Sequence, residues 1–186
     1  FQLPSADREG YLFPDTYRIP LTPIDVQSGS KPPIDARERQ IIAIMLENFR
    51  RRVYEPESGA FAHYPGGLAA AMKMASLVER EAEVPQDRPL IAAALTNRLK
   101  KGMRLQCDAT VQYALKQHKS RLLFSDLRVN SPYNTYLHAG LPPTPICNPG
   151  LPSIEAARNP AKVDYLFYVG CPDGSHIFSR TLAEHD

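Results

Sequence analysis

The chain contains no tryptophan, no hydrophobic run of membrane-spanning length and no long tract of one charge. Without tryptophan, its aromatic contacts fall to nine tyrosines and seven phenylalanines. A membrane-spanning helix needs about 20 apolar residues in a row, so none is expected within these residues, and no signal peptide is seen. Lysine and arginine number 22 against 20 acidic residues, a net charge of +2 that gives no push toward nucleic acid. The clusters "FRRRV" and "RLKKGMR" are short enough to read as solvated helix ends. The three cysteines, Cys107, Cys147 and Cys171, fit no zinc spacing, and their odd number leaves at least one thiol free or paired with another chain. The five histidines are scattered, so neither a metal nor an organic cofactor is expected. There is no internal repeat.

What is present suits one domain with a real core: 186 residues of ordinary apolar content. The first residue is Phe1, so the chain reads as an excised piece, and any anchor or targeting segment would lie upstream of it. Proline is enriched roughly twofold over the average share. Many of the 18 fall in "LPPTPICNPGLP", residues 141–152, which reads as a stiff extended loop.

"EGYLFPDTYRIPL", residues 9–21, predicts two short strands with a kink at Pro14. A helix from Asp35 carries the stripe Ile41, Ile42, Met45, Leu46, Phe49 and Val53. "EPESGAFAHYPGG" reads as loop. A second helix spans Leu68 to Glu83, stopped by Pro85. A third spans Arg88 to Lys101, with Asp87 as its N-cap and Gly102 beyond its end. "CDATVQYALKQ" reads as a short helix, residues 119–152 as largely irregular, and "SIEAARNP" as one or two helical turns. "DYLFYVG" and "SHIFSR" form a hairpin across "CPDG". The fold class is α+β: a central buried helix with surrounding helices, and a small sheet formed by N- and C-terminal strands.

Three carboxylates close the second helix: Glu79, Glu81 and Glu83. At about 100° per residue, Glu83 lies at the edge of the solvated arc with Lys73, Ser76 and Arg80. Glu79 sits beside Leu68, Met72, Ala75 and Ala82. Glu81 points nearly opposite, beside Ala70, Met74 and Leu77. An apolar setting raises a glutamate pKa from about 4.3 to about 6 or above, the state a general acid needs near neutral pH. The competing reading is a structural ion pair, with Arg98 or Arg104 as partners. Periodicity narrows three carboxylates to two and does not choose between them.

"EGYLFPDTYRI", "ASLVEREAEV", "LTNRLKKGMRLQCDATVQYAL", "SPYNTYLHAGLPPTPICNPG", "SIEAARNPAKVDYLFYV" and "HIFSRTLAEH" occur in this order between Glu9 and His185. Together they resemble the YceG-like family, the endolytic murein transglycosylases. The resemblance implies a bacterial enzyme on the extracytoplasmic, periplasmic face of the inner membrane, tethered by an upstream helix and preceded by a LysM-like region. Its substrate would be nascent peptidoglycan glycan strands, cut at the MurNAc-β-1,4-GlcNAc bond to leave a 1,6-anhydroMurNAc end, with peptidoglycan synthases as partners. The family's catalytic glutamate is the first in "A-S-[IL]-V-E-x-E", here Glu79. Cys107 and Ala109 depart from the family's "LQTDPT" and remove no group the chemistry needs.

The resemblance also makes Gln106, Asp108, Tyr133, Asn134, Thr135 and Tyr136 candidates for sugar contacts, their amides and hydroxyls suiting sugar hydroxyls. Asp108 reads equally as a helix N-cap, and Tyr133 and Tyr136 as pins for the proline-rich loop. Asn97 and Arg98 would orient Glu79 or order the "RLQCD" turn. His176 reads as a structural strand histidine. A hydrolase would need a second carboxylate, for which Asp108, Glu9 and Asp15 are the candidates. Cys107 and Cys147 are expected in neighbouring loops lining one side of a cleft, and Cys171 unpaired. The alternatives to a lyase are a hydrolase using water and a glycan-binding or divisome module without turnover.

Overall fold

A computed structural model describes residues 8–19, 34–117 and 119–185. Its centre is α3 (Gly67–Glu81), buried around most of its girth by Ala71, Met72, Met74, Ala75, Leu77 and Val78. The alanines let neighbours approach closely, and the remaining helices gather round it. These are α1 (Ile34–Phe49), α2 (Glu55–His63), α4 (Arg88–Lys100), the short α5 (Asp108–Leu115), α6 (Leu151–Arg158) and a terminal turn, α7 (Leu182–His185). A π-helical turn, Arg50–Tyr54, joins α1 to α2, and Val53 within it is fully buried. Helix α3 ends two residues earlier than its pattern predicts. Ala82 is already extended (φ −84°, ψ 118°), and Val84 follows suit because Pro85 disfavours helical backbone at the residue before it.

Residues 55–63 are a helix, where a loop was expected. Pro56 sits in the first turn, where its missing N–H costs nothing, and Phe61 anchors the helix at 2% exposure beneath the Arg158 guanidinium. The sheet has two strands, β1 (Phe167–Gly170) and β2 (His176–Ser179), paired antiparallel from Phe167↔Ser179 to Gly170↔His176. The "CPDG" turn joins them as expected. Asn97 and Arg98 of α4 hold the segment entering β1, Asn97 Nδ2 donating to the carbonyls of Val163 and Tyr165 and Arg98 Nε to that of Leu166.

No N-terminal strand joins that sheet among the described residues, which corrects the expected sheet composition; residues 20 and 21 lie outside them. The backbone donors of Gly10 and Leu12, which a partner strand would have taken, both go to the Asn148 side chain at 2.7 and 3.1 Å. The alternation that resembled a strand instead buries Tyr11 and Phe13, with Tyr11 edge-on to Phe49. Gly10 has φ +92°, and a Cβ there would lie 2.4 Å from Pro145 Cγ. Gly10→Ala is therefore expected to cost about 2–4 kcal/mol from left-handed strain plus overpacking. Thermal unfolding should show a melting point several degrees lower; an unchanged one would refute the close approach.

Candidate active site

The last turn of α3 sends its two glutamates to opposite sides, as about 200° of rotation between them requires. Glu79 turns toward α6. Its Oε2 accepts from the Ser153 hydroxyl at 2.6 Å and the Gly150 amide at 3.2 Å, and Ser153 in turn accepts from Arg88 Nε at 3.1 Å. Gly150 is the N-cap of α6 and brings no capping side chain. Glu79 fills that role from another helix, placing a carboxylate where the α6 dipole and its free N–H groups favour one.

Glu81 turns toward α5 and the hairpin. Its Oε2 accepts from the Tyr168 hydroxyl at 3.3 Å, while Oε1 is shielded from water and has no hydrogen bond of normal geometry. Burial pushes the Glu81 pKa up to about 7, and the charge of Asp108 adds to this. The Tyr168 hydroxyl, the Ala109 amide and His176 pull the other way. The proton-holding environment that periodicity allowed to either glutamate thus surrounds Glu81.

Two motif loops meet beside Glu81. Asp108, the first residue of α5, accepts from the Tyr136 hydroxyl at 2.5 Å and makes no N-cap bond. Burial and the Asp108 carboxylate hold the Tyr136 proton tightly. The loops are laced together by Gln106 N to Thr135 O (3.1 Å), Cys107 N to Thr135 Oγ1 (3.0 Å) and the Thr110–Thr135 hydroxyl pair (2.9 Å). Gln106 is exposed, with φ +53°. Asn134 and Thr135 are corrections. They are 0% and 2% exposed, and Asn134 Nδ2 binds the carbonyls of Leu127 and Val129. Their side chains are spent on ordering the loop.

A cleft of about 570 Å³ adjoins this corner through Ala109, with Arg80, Gln112, Tyr113, Lys116, Tyr133 and Cys147 in its walls. Tyr113 and Tyr133 lie 4.8 Å apart, centroid to centroid. Tyr133 also meets Thr144 through its hydroxyl (2.8 Å), so it both lines the cleft and pins the proline-rich loop. Glu9 reaches this wall by accepting from Tyr113 at 2.5 Å. Asp15 does not; it pairs with Arg52 at 2.6 Å and Asn48 at 3.0 Å, on another flank.

Asn97 and Arg98 do not touch Glu79. Arg98 Nη1 donates to Leu105 O at 2.6 Å, which orders the "RLQCD" turn, while Asn97 serves the approach to β1. All three cysteines are free. Cys107 lies by Glu81, and Cys147 on the Glu79 side with its thiol donating to Ser76 O, so they flank the helix end rather than sharing one loop wall. Burial, then the carboxylate of Glu79, pushes the Cys147 thiol up to about 12. Asp87 stands at the α4 N-cap as expected, but its side chain makes no capping bond and pairs with His176. Periodicity missed Tyr168 and the Asp87–His176 pair because their bearing on the site exists only once the hairpin docks.

A family model described as the YceG-like family matches residues 2–186. An endolytic murein transglycosylase of Bacillus subtilis strain 168 is 41% identical over 178 residues, covering 96% of this chain and 46% of that protein. One of Streptococcus pneumoniae serotype 2 is 30% identical over 184 residues, covering 96% and 31%. The chain therefore spans less than half the length of the curated relatives it matches. The crystal structure of a yceG-like protein from Listeria monocytogenes superposes with a TM-score of 0.83 at 40% identity, covering 96% of this chain and 54% of that one.

Proposed function

The chain belongs to the YceG-like family, and from that premise we propose that it is the catalytic part of an endolytic murein transglycosylase, with Glu81 as its acid and base. The two curated relatives are named for that activity. The observation that carries the assignment is the buried Glu81 carboxyl, its pKa pushed up to about 7, beside an aspartate and two tyrosines. Glu81 gives its proton to the glycosidic oxygen as the bond to the MurNAc C1 breaks. The resulting carboxylate takes the proton of the MurNAc C6 hydroxyl, whose oxygen closes on C1. No water is consumed, and the proton count balances on one residue. This pKa suits the role because an acid works best when its pKa lies near the working pH.

The assignment moves the acid from Glu79, which the resemblance indicated, to its neighbour two residues on. Glu79 is occupied at the N-terminus of α6 by two donors on one oxygen. Asp108 and Tyr136 border the acid, exposed Gln106 lies two residues before Asp108, and the tyrosines of the adjoining cleft present ring faces suited to sugars. The whole protein would act on peptidoglycan strands outside the cytoplasm, held at the membrane by a segment other than these residues and working beside peptidoglycan synthases.

Mass spectrometry of muropeptides from purified sacculi tests the chemistry. The expected main product ends in 1,6-anhydroMurNAc and is one water lighter than a hydrolysis product. Reducing-end products as the main species would replace the lyase by a hydrolase, and the absence of any cleavage would favour a binding module.

A further inference from the structure

Asp87 closes the 3₁₀ turn before α4, and His176 opens β2. They are 89 positions apart, yet Nδ1 of His176 lies 2.9 Å from Oδ2 of Asp87, with side chains only 9% and 10% exposed. Burying such a pair costs desolvation that its attraction only partly returns, so stability alone is a poor reason for it. As the α4 N-cap, Asp87 makes no capping bond to its own helix, and the hairpin pairs through its backbone, so neither element needs this contact to form. What the pair does reach is the acid. The His176 ring stands edge-on to Tyr168 at 5.7 Å, and the Tyr168 hydroxyl donates to Glu81 Oε2 at 3.3 Å.

We propose that Asp87 and His176 are positioning residues that hold Tyr168 on the Glu81 carboxyl and set how tightly that carboxyl keeps its proton. The role rests on the reading of Glu81 as the acid. Asp87 orients the imidazole through the 2.9 Å contact with Nδ1. The charged imidazole, through space, favours the Glu81 carboxylate, as the Tyr168 hydroxyl does through its hydrogen bond. The other groups facing Glu81 are Asp108 and the Ala109 amide from α5, and Cys107, a thiol that burial keeps protonated. Arg98 of α4 stands behind them, close to Cys107 and Tyr168. Asp108 opposes His176: its charge raises the affinity that His176 lowers. Burial is the main cause of the raised Glu81 pKa; on top of it Asp108 adds to the rise, and Tyr168, Ala109 and His176 trim it.

The sign follows. Removing the imidazole charge leaves Glu81 holding its proton more tightly. Activity that needs protonated Glu81 falls as pH rises through its pKa, so this alkaline limb should move upward. His176→Gln and Asp87→Asn should each shift it by about half a unit to one unit, and Tyr168→Phe in the same direction. The effect should appear in kcat, with little change in KM. A pH–rate series on isolated glycan strands reads the limb. A ¹³C-carboxylate NMR titration of Glu81, its signal assigned by loss in Glu81→Gln, reads the same shift without turnover. If no strand is cut, the activity reading fails while the titration still judges this proposal. Should His176→Gln misfold, Asp87→Asn and Tyr168→Phe carry the test. Variants that lose melting temperature and lower kcat evenly at every pH, with an unmoved Glu81 titration, would overturn the proposal and leave the pair a fastening of the hairpin.

Discussion

Glu81→Gln is expected to abolish strand cleavage while the fold persists. Glutamine keeps the shape and the contact with Tyr168 but has no proton to transfer. A general acid or base typically contributes about 10²- to 10⁴-fold, and one residue serving both roles should sit at or beyond the upper figure. The fold should not suffer. Glu81 has a higher pKa in the folded chain than its ordinary value of 4.5, because burial disfavours its charge. Its contribution to stability is therefore full below about pH 4.5 and lost as pH rises through about 7. At pH 8 the variant removes a desolvated charge, so it should melt no lower than the parent. Glu79→Gln should behave differently. It weakens a borrowed helix cap, worth about 1 kcal/mol, and keeps most of the activity. Kinetics on peptidoglycan strands and thermal melts of both variants decide the matter. An active Glu81→Gln beside a dead Glu79→Gln would restore the acid to the first glutamate of the motif.

That periodicity leaves the choice between these glutamates open has a physical cause. A helical wheel reports which neighbours share a face, and both carboxylates share theirs with alanines, leucines or methionines. It does not report what packs there from elsewhere. On one side that is the start of α6, whose "GLPS" opening has a glycine where a capping side chain would sit. On the other it is a tyrosine from a strand 87 positions away. A signal was available. The "LQCD" and "YNTY" blocks bear polar groups of the kind a sugar needs, and an acid working beside them would lie on the face of α3 that meets them.

The fold divides in the same way. Helices α3, α4 and α5 and the C-terminal hairpin were legible because periodicity and turn residues agreed with the final packing. Gly102, with φ +67°, stops α4 as its position predicted. Helix α2 was not, since Pro56, Gly59 and Pro65 speak for loop, and only Phe61 in the core outweighs them. The N-terminal segment misled for the converse reason. Its aromatic alternation is real and points inward, but a single asparagine side chain replaces the partner strand. Asn134 and Thr135 looked like ligand-facing groups because polar residues in loops usually are exposed, whereas here they spend every group on the chain itself.

Arg98→Ala is expected to be the most destabilising single change outside the apolar core. Arg98 is 8% exposed, and its guanidinium spans two carbonyls: Nε to Leu166 O and Nη1 to Leu105 O, each at 2.6 Å. Its plane also lies over the Phe167 ring at 5.4 Å. One side chain thus ties α4 to both the strand that carries Tyr168 and the loop that carries Asp108. Hydrogen bonds to a charged donor contribute about 1.5–3 kcal/mol each, and truncation leaves both carbonyls buried beside a void. A loss of about 3–5 kcal/mol follows, which for a domain of this size lowers the melting temperature by about 6–20 °C. Arg98→Lys should recover little of it, because a single ammonium cannot fork to two carbonyls from one position. Activity should fall further than melting alone predicts, since Leu105 lies three residues before Asp108 and its release lets that carboxylate drift from Tyr136 and Glu81. Differential scanning calorimetry of both variants, with activity measured well below their melting points, separates the two effects. A drop under about 2 °C for Arg98→Ala would show that water replaces the guanidinium at those carbonyls and that the loop keeps its place without it.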